Sequence, residues 1–481
     1  MTFEKRIDRK LILSIIAAGI MSFSGVVVET AMNVTFPTLM REFSVSTSTV
    51  QWITTGYLLI LALLIPASSY LKRRFPMKRL FAAAIGLFLA GTVLCAAAPS
   101  FAFLLLGRLI QGVGTGIALP MMFNIVLEQV PEERLGLMMG VATLITAVAP
   151  AVGPFAGGAI VEAFGWRMIF VALLPLLLLA MVFGLSSIRQ VSQLKKEPFP
   201  WLEFFLLSAC FTCFIFALTC ASSSGWISGP VLGLLAVSAA SAAGFYFHAK
   251  QAAAPLICVQ VFHRAPFVLS MLVIICVQMI TLGIGFLIPN YAQLVLHQGA
   301  FVAGCLLLPG CVLGAALAPF AGKMLDRFGA RPPILAGNLA LLLATACFGL
   351  FSLQLSAGMF ALIYMIYTFG QSCTMGNTMT NGLRQLPDAL NADGNAMINT
   401  FQQLGGAVGT SIVSTIVASA QRGLPEDTAM AVRLGSHTAF LVLAALAVAM
   451  LCCSLGVFYL TRSGASGRRA GGARVREESG V

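Results

Sequence analysis

Fourteen apolar runs follow one another along the chain, at about 11 to 37, 49 to 71, 79 to 98, 101 to 126, 135 to 161, 167 to 188, 199 to 221, 228 to 249, 267 to 291, 300 to 321, 333 to 353, 358 to 381, 394 to 420 and 436 to 460. Each is near the ~20 residues that a helix needs to cross the hydrocarbon layer of a bilayer, and in lipid a helix satisfies every backbone amide within its own segment. The chain is therefore expected to be an all-α integral membrane protein. Its composition agrees, because 481 residues that are 59% hydrophobic and 10% charged lie far outside the range of soluble domains.

Orientation follows from where Lys and Arg fall between the runs. With the N-terminus in the cytoplasm, only Arg41, Arg167, Arg422 and Arg433 fall outside, Arg108 falls within a span, and the other basic residues are cytoplasmic. Both termini are then cytoplasmic, and the expected location is the inner or plasma membrane of the cell, crossed many times. The net charge of +12 is explained by this topology. The basic clusters are short, scattered and without an RNA-type aromatic motif, so no nucleic-acid partner is expected. The twelve cysteines lie mostly inside apolar runs, as at Cys210, Cys213, Cys220, Cys452 and Cys453, with no His at metal spacing. They read as small hydrophobes, not as metal ligands or disulfides. Residues 1 to 10 are basic, but the apolar run behind them is too long for a signal-peptide core and no small-residue cleavage site follows, so the first helix is expected to be retained.

Two loops look like copies of each other. One is Ser69-Tyr70-Leu71-Lys72-Arg73-Arg74-Phe75-Pro76-Met77-Lys78-Arg79, and the other is Gly322-Lys323-Met324-Leu325-Asp326-Arg327-Phe328-Gly329-Ala330-Arg331. Corresponding loops in two halves point to a duplicated transporter bundle. The expected organisation is an N-terminal six-helix bundle over 1–190, two linker transmembrane helices over 191–255, a C-terminal six-helix bundle over 256–461, and a disordered basic cytoplasmic tail over 462–481.

Glu29 and Arg108 stand well inside spans. A carboxylate in hydrocarbon is costly unless it is paired, hydrated or protonated, which makes Glu29 a functional candidate. At ~1.5 Å per residue it lies roughly 27 Å along the helix from Leu11, beyond the midplane toward the outside. Alternating access could move such an acid between apolar surroundings and a nearby cation, and a proton and a cationic or neutral amphiphile would compete for it. A static pair with Arg108, or a solvated acid near the outer mouth, is the competing reading. Arg108 lies in Gly107-Arg108-Leu109-Ile110-Gln111-Gly112-Val113-Gly114-Thr115-Gly116, whose glycines allow the close helix approach that could shield it. It could hold a carboxylate, polarise a proton site or contact substrate; a structural arginine bonded to backbone carbonyls, or snorkelling, competes with all three.

Residues 322 to 331 fit the G-x-x-x-D-R-x-G-x-R loop of the major facilitator superfamily, with Gly322, Asp326 and Arg327 in its fixed positions, and the chain resembles that family here. The first copy departs from the pattern. Arg73 stands where the second copy has Asp326, and Ser69 and Pro76 replace the glycines. A cation cannot replace an anion at a helix N-terminus, so a latch like the family's must be carried by the second copy, or the first half must use other partners. Residues 107 to 116 resemble the family's fourth-helix motif. The stretch Ala149-Pro150-Ala151-Val152-Gly153-Pro154-Phe155-Ala156-Gly157-Gly158 is similar to the G-P-x-x-G-G pattern that in the superfamily marks exporters exchanging substrate for protons. Pro150 and Pro154 interrupt the backbone ladder while Gly153, Gly157 and Gly158 form small faces, so this helix is expected to be bent and closely packed.

Glu29-Thr30 with Asn33 and Pro37 resembles the D-x-T-x-x-N-x-x-x-P first-helix signature of the fourteen-helix drug–proton antiporters, with the acid Glu29 one position after the usual Asp. Gln51-Trp52-Ile53-Thr54-Thr55-Gly56-Tyr57, Pro255-Leu256-Ile257 before Phe262, and Gln402-Gln403-Leu404-Gly405-Gly406-Ala407-Val408-Gly409 match the same branch. The resemblance implies the major facilitator fold, two six-helix bundles with two additional central transmembrane helices. It implies proton-coupled export of small amphipathic or cationic compounds, with Glu29 and Arg108 as the proton-coupling pair and multidrug resistance as the phenotype. No cofactor is implied beyond the coupling ion H+. The expected partners are small hydrophobic or cationic substrates and the lipid bilayer, with a periplasmic adaptor if the source has two membranes. On the helices that the family places around the pathway, the substrate-binding candidates are Asn33, Tyr57, Met121, Met122, Asn124, Gln278, Asn290, Tyr291, Gln293, Gln371, Asn377 and Asn399. For each of them, helix packing or a satisfied hydrogen bond competes with substrate contact.

No group of nucleophile, base and orienter emerges, nor a G-x-x-x-x-G-K-[ST] phosphate loop, so neither an enzyme nor a nucleotide-driven pump is expected. Two other functions fit the residues. One is a narrow exporter of a metabolite, amino acid, lipid or antibiotic. The other is a transporter-like membrane receptor that moves nothing, for which Arg73 in the first loop is the only argument.

Overall fold

The computed structural model describes residues 7–45, 47–50, 52–194, 198–225, 227–252, 255–424 and 426–478. Gln51 lies outside them, as do the side chains of Asn33, Pro37, Ala151, Pro154 and all residues after Thr461. All fourteen apolar runs are helical, the tenth broken at residues 306–307 after a short helix Ala300–Cys305: α1 (Arg9–Phe43), α2 (Trp52–Arg74), α3 (Met77–Ala96), α4 (Phe101–Gln129), α5 (Leu135–Phe164), α6 (Arg167–Ser187), α7 (Trp201–Ser224), α8 (Gly229–Gln251), α9 (Ala265–Leu294), α10 (Leu308–Phe328), α11 (Arg331–Phe351), α12 (Ala357–Leu383), α13 (Asn391–Gly423) and α14 (Thr428–Glu478). The backbone of α14 thus continues through the stretch expected to be a disordered tail, as far as Glu478.

Thirteen of these helices contain a segment long and apolar enough to span a membrane. The exception is α12, which at 27 residues is equally long but whose Gln371, Asn377 and several threonines lower its hydropathy. Those polar residues are turned inward: Thr374, Asn377, Thr378 and Thr380 are all buried. Helix ends follow local chemistry. Asp8 accepts the amide hydrogen of Leu11 at 2.8 Å and caps α1, and Ser356 does the same for Met359 at the start of α12.

The two sets of six helices repeat one packing pattern. In the first, α1 lies against α5 and α6, and α4 against α2 and α3. In the second, α9 lies against α13 and α14, and α12 against α10 and α11. The sets meet where α5 faces α10 and α2 faces α13. The added helix α7 pairs with α8 and also touches both α2 and α13.

One end of the bundle, called here the basic end, carries the start of α1, the Lys72–Arg74 end of α2, the close of α10 and the start of α13. The opposite end is fastened within the first set. Trp166 Nε1 and Arg167 donate to the two carboxylate oxygens of Glu42, each at 2.7 Å, and Arg167 also donates to the Ala98 carbonyl at 3.0 Å. Burial disfavours the ionised Glu42 carboxyl, but the hydrogen bonds from Trp166 and Arg167 outweigh it and hold that group below its ordinary range.

Candidate functional site

Glu29 sits half-buried in a turn of α1 that is gripped from two sides. One turn earlier, on the same helix face, the Gly25 carbonyl accepts the Tyr57 hydroxyl at 3.1 Å. The Tyr57 hydroxyl also lies 2.9 Å from the Thr115 hydroxyl, which ties α1, α2 and α4 together at one point. On the other side, the next two residues of α1 press on α5. A β-carbon at Gly153 would overlap the Thr30 hydroxyl, and one at Gly157 would come within 2.7 Å of the Ala31 methyl carbon. Thr30 can stand so close because its hydroxyl turns back to donate to the Val26 carbonyl at 3.0 Å. The glycines of the fifth-helix motif therefore pack directly beside Glu29. Of that motif, Gly153 and Gly157 are buried and Pro150 and Gly158 half-buried, within a continuous helix.

Arg108 is wholly buried in α4. Its guanidinium lies over the Tyr57 ring, 4.1 Å from the centroid, and its Nη1 donates to Gln111 Oε1 at 3.0 Å. Gln111 in turn donates to the Thr92 hydroxyl at 2.8 Å. Neither Nε nor Nη2 of Arg108 has a hydrogen-bond partner among the described residues. No hydrogen bond therefore joins Arg108 to Glu29. An arginine with two unmade hydrogen bonds at this depth is poised to receive an acceptor, since a buried unsatisfied donor costs ~1–3 kcal/mol. Gln111, Thr92 and Thr115 were not singled out in the sequence; their spacing of three to four residues from Arg108 and from each other along α4, for Gln111 and Thr115, was the available signal.

The remaining candidates divide into three groups. Tyr57, Met121, Met122 and Asn124 are buried in the first set, and Asn124 Oδ1 accepts from Asn395 of α13 at 2.9 Å. Asn395 also donates to the Pro120 carbonyl at 2.9 Å, and Asn399, one turn on, donates to Asn395 Oδ1 at 2.8 Å. Asn395 is thus the bridge that brings Asn124 and Asn399 together across the halves. In the second set, Gln278 and Gln371 are half-buried. Gln402 donates to Gln278 at 3.4 Å and Gln371 to the Thr281 hydroxyl at 3.2 Å, beside Tyr367, whose hydroxyl is 2.6 Å from Thr281. The third group is engaged in packing or lies at the periphery. Asn290 donates to its own helix at Phe286, Tyr291 donates to the Ser352 carbonyl at 2.8 Å, Asn377 donates to the carbonyls of Cys373 and Ala321, and Gln293 is exposed. An open fissure of 430 Å³ between α13 and α14, lined by Ile412, Ile416, Leu434 and neighbours, includes none of the candidates.

At the basic end the two halves are fastened twice. Asp326 accepts the amide hydrogens of Gly136 and Leu137, both at 2.9 Å, and so caps the first turn of α5 from the end of α10. Gly322 makes the approach achievable, because a β-carbon there would overlap the Gly136 carbonyl oxygen. Arg384 supports the cap from 3.7 Å, while Arg327 is exposed and lies over the Phe328 ring. On the other side, Arg73 donates to both oxygens of the buried Asp393 carboxylate, at 2.8 and 3.0 Å. The cation of the altered first loop thus has an acid to meet in the first turn of α13. Beside it, Lys72 pairs with Glu128 at 2.6 Å.

Comparison with known proteins agrees with this arrangement. Residues 18–410 match the family model described as Major Facilitator Superfamily. The chain belongs to that superfamily. A protein of Listeria monocytogenes named lincomycin resistance protein LmrB is 36% identical over 453 residues, covering 92% of this chain and 96% of that protein. A protein of Mycobacterium tuberculosis named multidrug resistance protein B homolog is 29% identical over 425 residues, covering 86% and 78%. Among solved structures, a double tryptophan mutant of XylE superposes with a TM-score of 0.64 at 13% identity, covering 93% of this chain and 94% of that one, a likeness of fold alone. This superfamily member is accordingly a multi-pass membrane transporter.

Proposed function

We propose that the protein exports small amphipathic or cationic compounds in exchange for protons, by alternating access between its two six-helix halves, 1–190 and 256–461. The observation that carries the proposal is the Glu29 turn. An acid within a span sits between Gly25, which Tyr57 and Thr115 hold, and Thr30 and Ala31, which press on Gly153 and Gly157, and the neighbouring helix α4 carries a buried arginine that lacks two hydrogen-bond partners. Such an acid changes its protonation when its surroundings change, which is the property a coupling residue needs. The names of two relatives, for lincomycin and multidrug resistance, support drug export as the direction and the cargo.

On this reading the basic end is cytoplasmic and both fastenings belong to a state closed toward the cytoplasm. Glu29 releases a proton inward when the halves swing, and substrate takes its place. The polar residues Gln278, Gln371 and Gln402 across the bundle supply anchors in an otherwise apolar wall. No nucleotide or cofactor takes part; the coupling ion is H+.

The test is purified protein in sealed vesicles with an imposed pH gradient, challenged with chemically unrelated cations and neutral amphiphiles. Accumulation of several compounds on the acidic side is expected. Movement indifferent to the gradient would remove proton coupling, and movement of a single compound would replace a broad exporter with a narrow one.

A further inference from the structure

The two added helices contain few polar residues, yet they hold a wholly buried acid. Glu203, in the first turn of α7, has no exposed surface. One of its oxygens accepts the amide hydrogen of Leu256 at 2.6 Å, and the other lies 3.1 Å from Nδ1 of His248 near the end of α8. Leu256 belongs to the Pro255-Leu256-Ile257 motif just after α8, and Leu256 and Ile257 are themselves fully buried. The peptide held in this way turns its carbonyls toward the end of α2. Arg73 donates to the Pro255 carbonyl at 2.8 Å and to that of Leu256 at 3.3 Å, and the Ser69 hydroxyl donates to the Leu256 carbonyl at 3.1 Å. The same guanidinium grips Asp393.

A continuous set of contacts thus runs from His248 and Glu203 through Leu256 and Arg73 to Asp393, that is, from the added helices to the seam between the halves. Helix α7 follows the same seam for its whole length. Phe199 just before it packs edge-on against Tyr70 of α2 at 5.2 Å, Phe216 packs against Trp52 of α2 at 5.3 Å, and the Leu218 carbonyl accepts from Ser411 of α13 at 3.3 Å.

We propose that α7 and the Pro255–Ile257 segment are a working part of the closure at the basic end, and that Glu203 is its positioning residue. Glu203 fixes the peptide whose carbonyls take up one side of the Arg73 guanidinium, and a guanidinium so held presents its remaining donors to Asp393. Without that support, a long flexible side chain would lose rotamer freedom on pairing, and the pair would be correspondingly weaker. The inference rests on the reading that this end opens and closes, and is independent of proton coupling.

The experiment is hydrogen exchange by mass spectrometry on the full chain in nanodiscs, comparing wild type with Glu203→Ala and Glu203→Gln. In Glu203→Ala, exchange should rise roughly tenfold not only at Leu256 but also in the 395–400 stretch of α13, to which the Glu203 carboxylate makes no hydrogen bond among the described residues. Glu203→Gln keeps a carbonyl acceptor for the Leu256 amide and should return the 395–400 stretch to near the wild-type rate. Ser69→Ala removes the hydroxyl that holds the Leu256 carbonyl beside Arg73 and serves if Glu203→Ala does not fold; it should accelerate the same stretch. Faster exchange at Leu256 with 395–400 unchanged would make the added helices a passive tether and overturn the proposal, as would failure of the Gln variant to restore the rate. Neither readout involves transport, so loss of pH-driven export leaves this result intact, and the reverse holds too.

Discussion

Asp326 accepts hydrogen bonds from the backbone of Gly136, 190 positions earlier in the chain, so that a side chain of one half completes the first turn of a helix in the other. Its second oxygen accepts from Leu137, and no other atom of the Asp326 carboxylate is needed. Replacing Asp326 by Asn keeps one acceptor and loses the charge. The expected loss is about 1–3 kcal/mol from the closed state, seen as faster amide exchange at residues 136–140 without loss of protein. Unchanged exchange there would show that the cap contributes nothing to closure.

Arg73 and Asp393 form the second fastening, with Asp393 almost wholly enclosed. Reversing either charge alone leaves a buried like-charge contact, and removal of one partner from a buried pair typically costs about 3–5 kcal/mol. Arg73→Asp and Asp393→Arg should each abolish drug resistance in cells, and the double exchange should recover a measurable part of it. A double variant no better than either single one would mean that the pair acts through something other than its mutual attraction.

Glu29→Gln should leave the protein at wild-type level and end gradient-driven accumulation in vesicles, because the amide cannot exchange a proton. Glu29→Asp, with the same charge and one methylene less, should retain a substantial part of the transport. Substrate-induced proton release from purified protein should vanish in Glu29→Gln. Full coupled transport by that variant would place the proton site elsewhere.

Gly153 has no room for a methyl group beside Thr30, so Gly153→Ala must part α5 from α1. A contact forced open in a packed interface costs about 1–3 kcal/mol. Thermal unfolding in detergent should fall by a few degrees and export should decline. Adding Thr30→Ser, which removes a methyl but keeps the hydroxyl, should recover little, whereas Thr30→Ala should recover more, because the overlap falls on the hydroxyl oxygen. Equal recovery by both would contradict this geometry.

The helices were legible because hydrocarbon leaves an apolar run little choice, and all fourteen appear where the sequence puts them, although α1 and α14 extend well past their apolar runs. The start of α13 at the basic end carries Asp393 and Asn395, which are too polar for lipid and are buried against the other half. Nothing local marks those two as contact residues. Asp393 meets Arg73 across 320 positions, and Asn395 meets Asn124 across 271, distances over which no periodicity carries information. The anomaly of Arg73 in the first loop was readable; its partner was not. Tyr57 illustrates the same limit, since its place among aromatic and polar candidates was plain while its bonds to Gly25 and Thr115 depend on helix rotation.

The distribution of the two acids at the closed end has a further consequence. Asp326 and Asp393 both belong to the second half, and what they hold, the amide-rich start of α5 and the Arg73 guanidinium, both belong to the first. If the halves separate there as proposed, the two carboxylates are freed unequally: Asp326 keeps Arg384 of its own half beside it, whereas Asp393 loses Arg73, the one cation its carboxylate meets. A positively charged compound approaching from that side would then find at Asp393 a carboxylate whose partner has withdrawn, before any deeper residue has touched it.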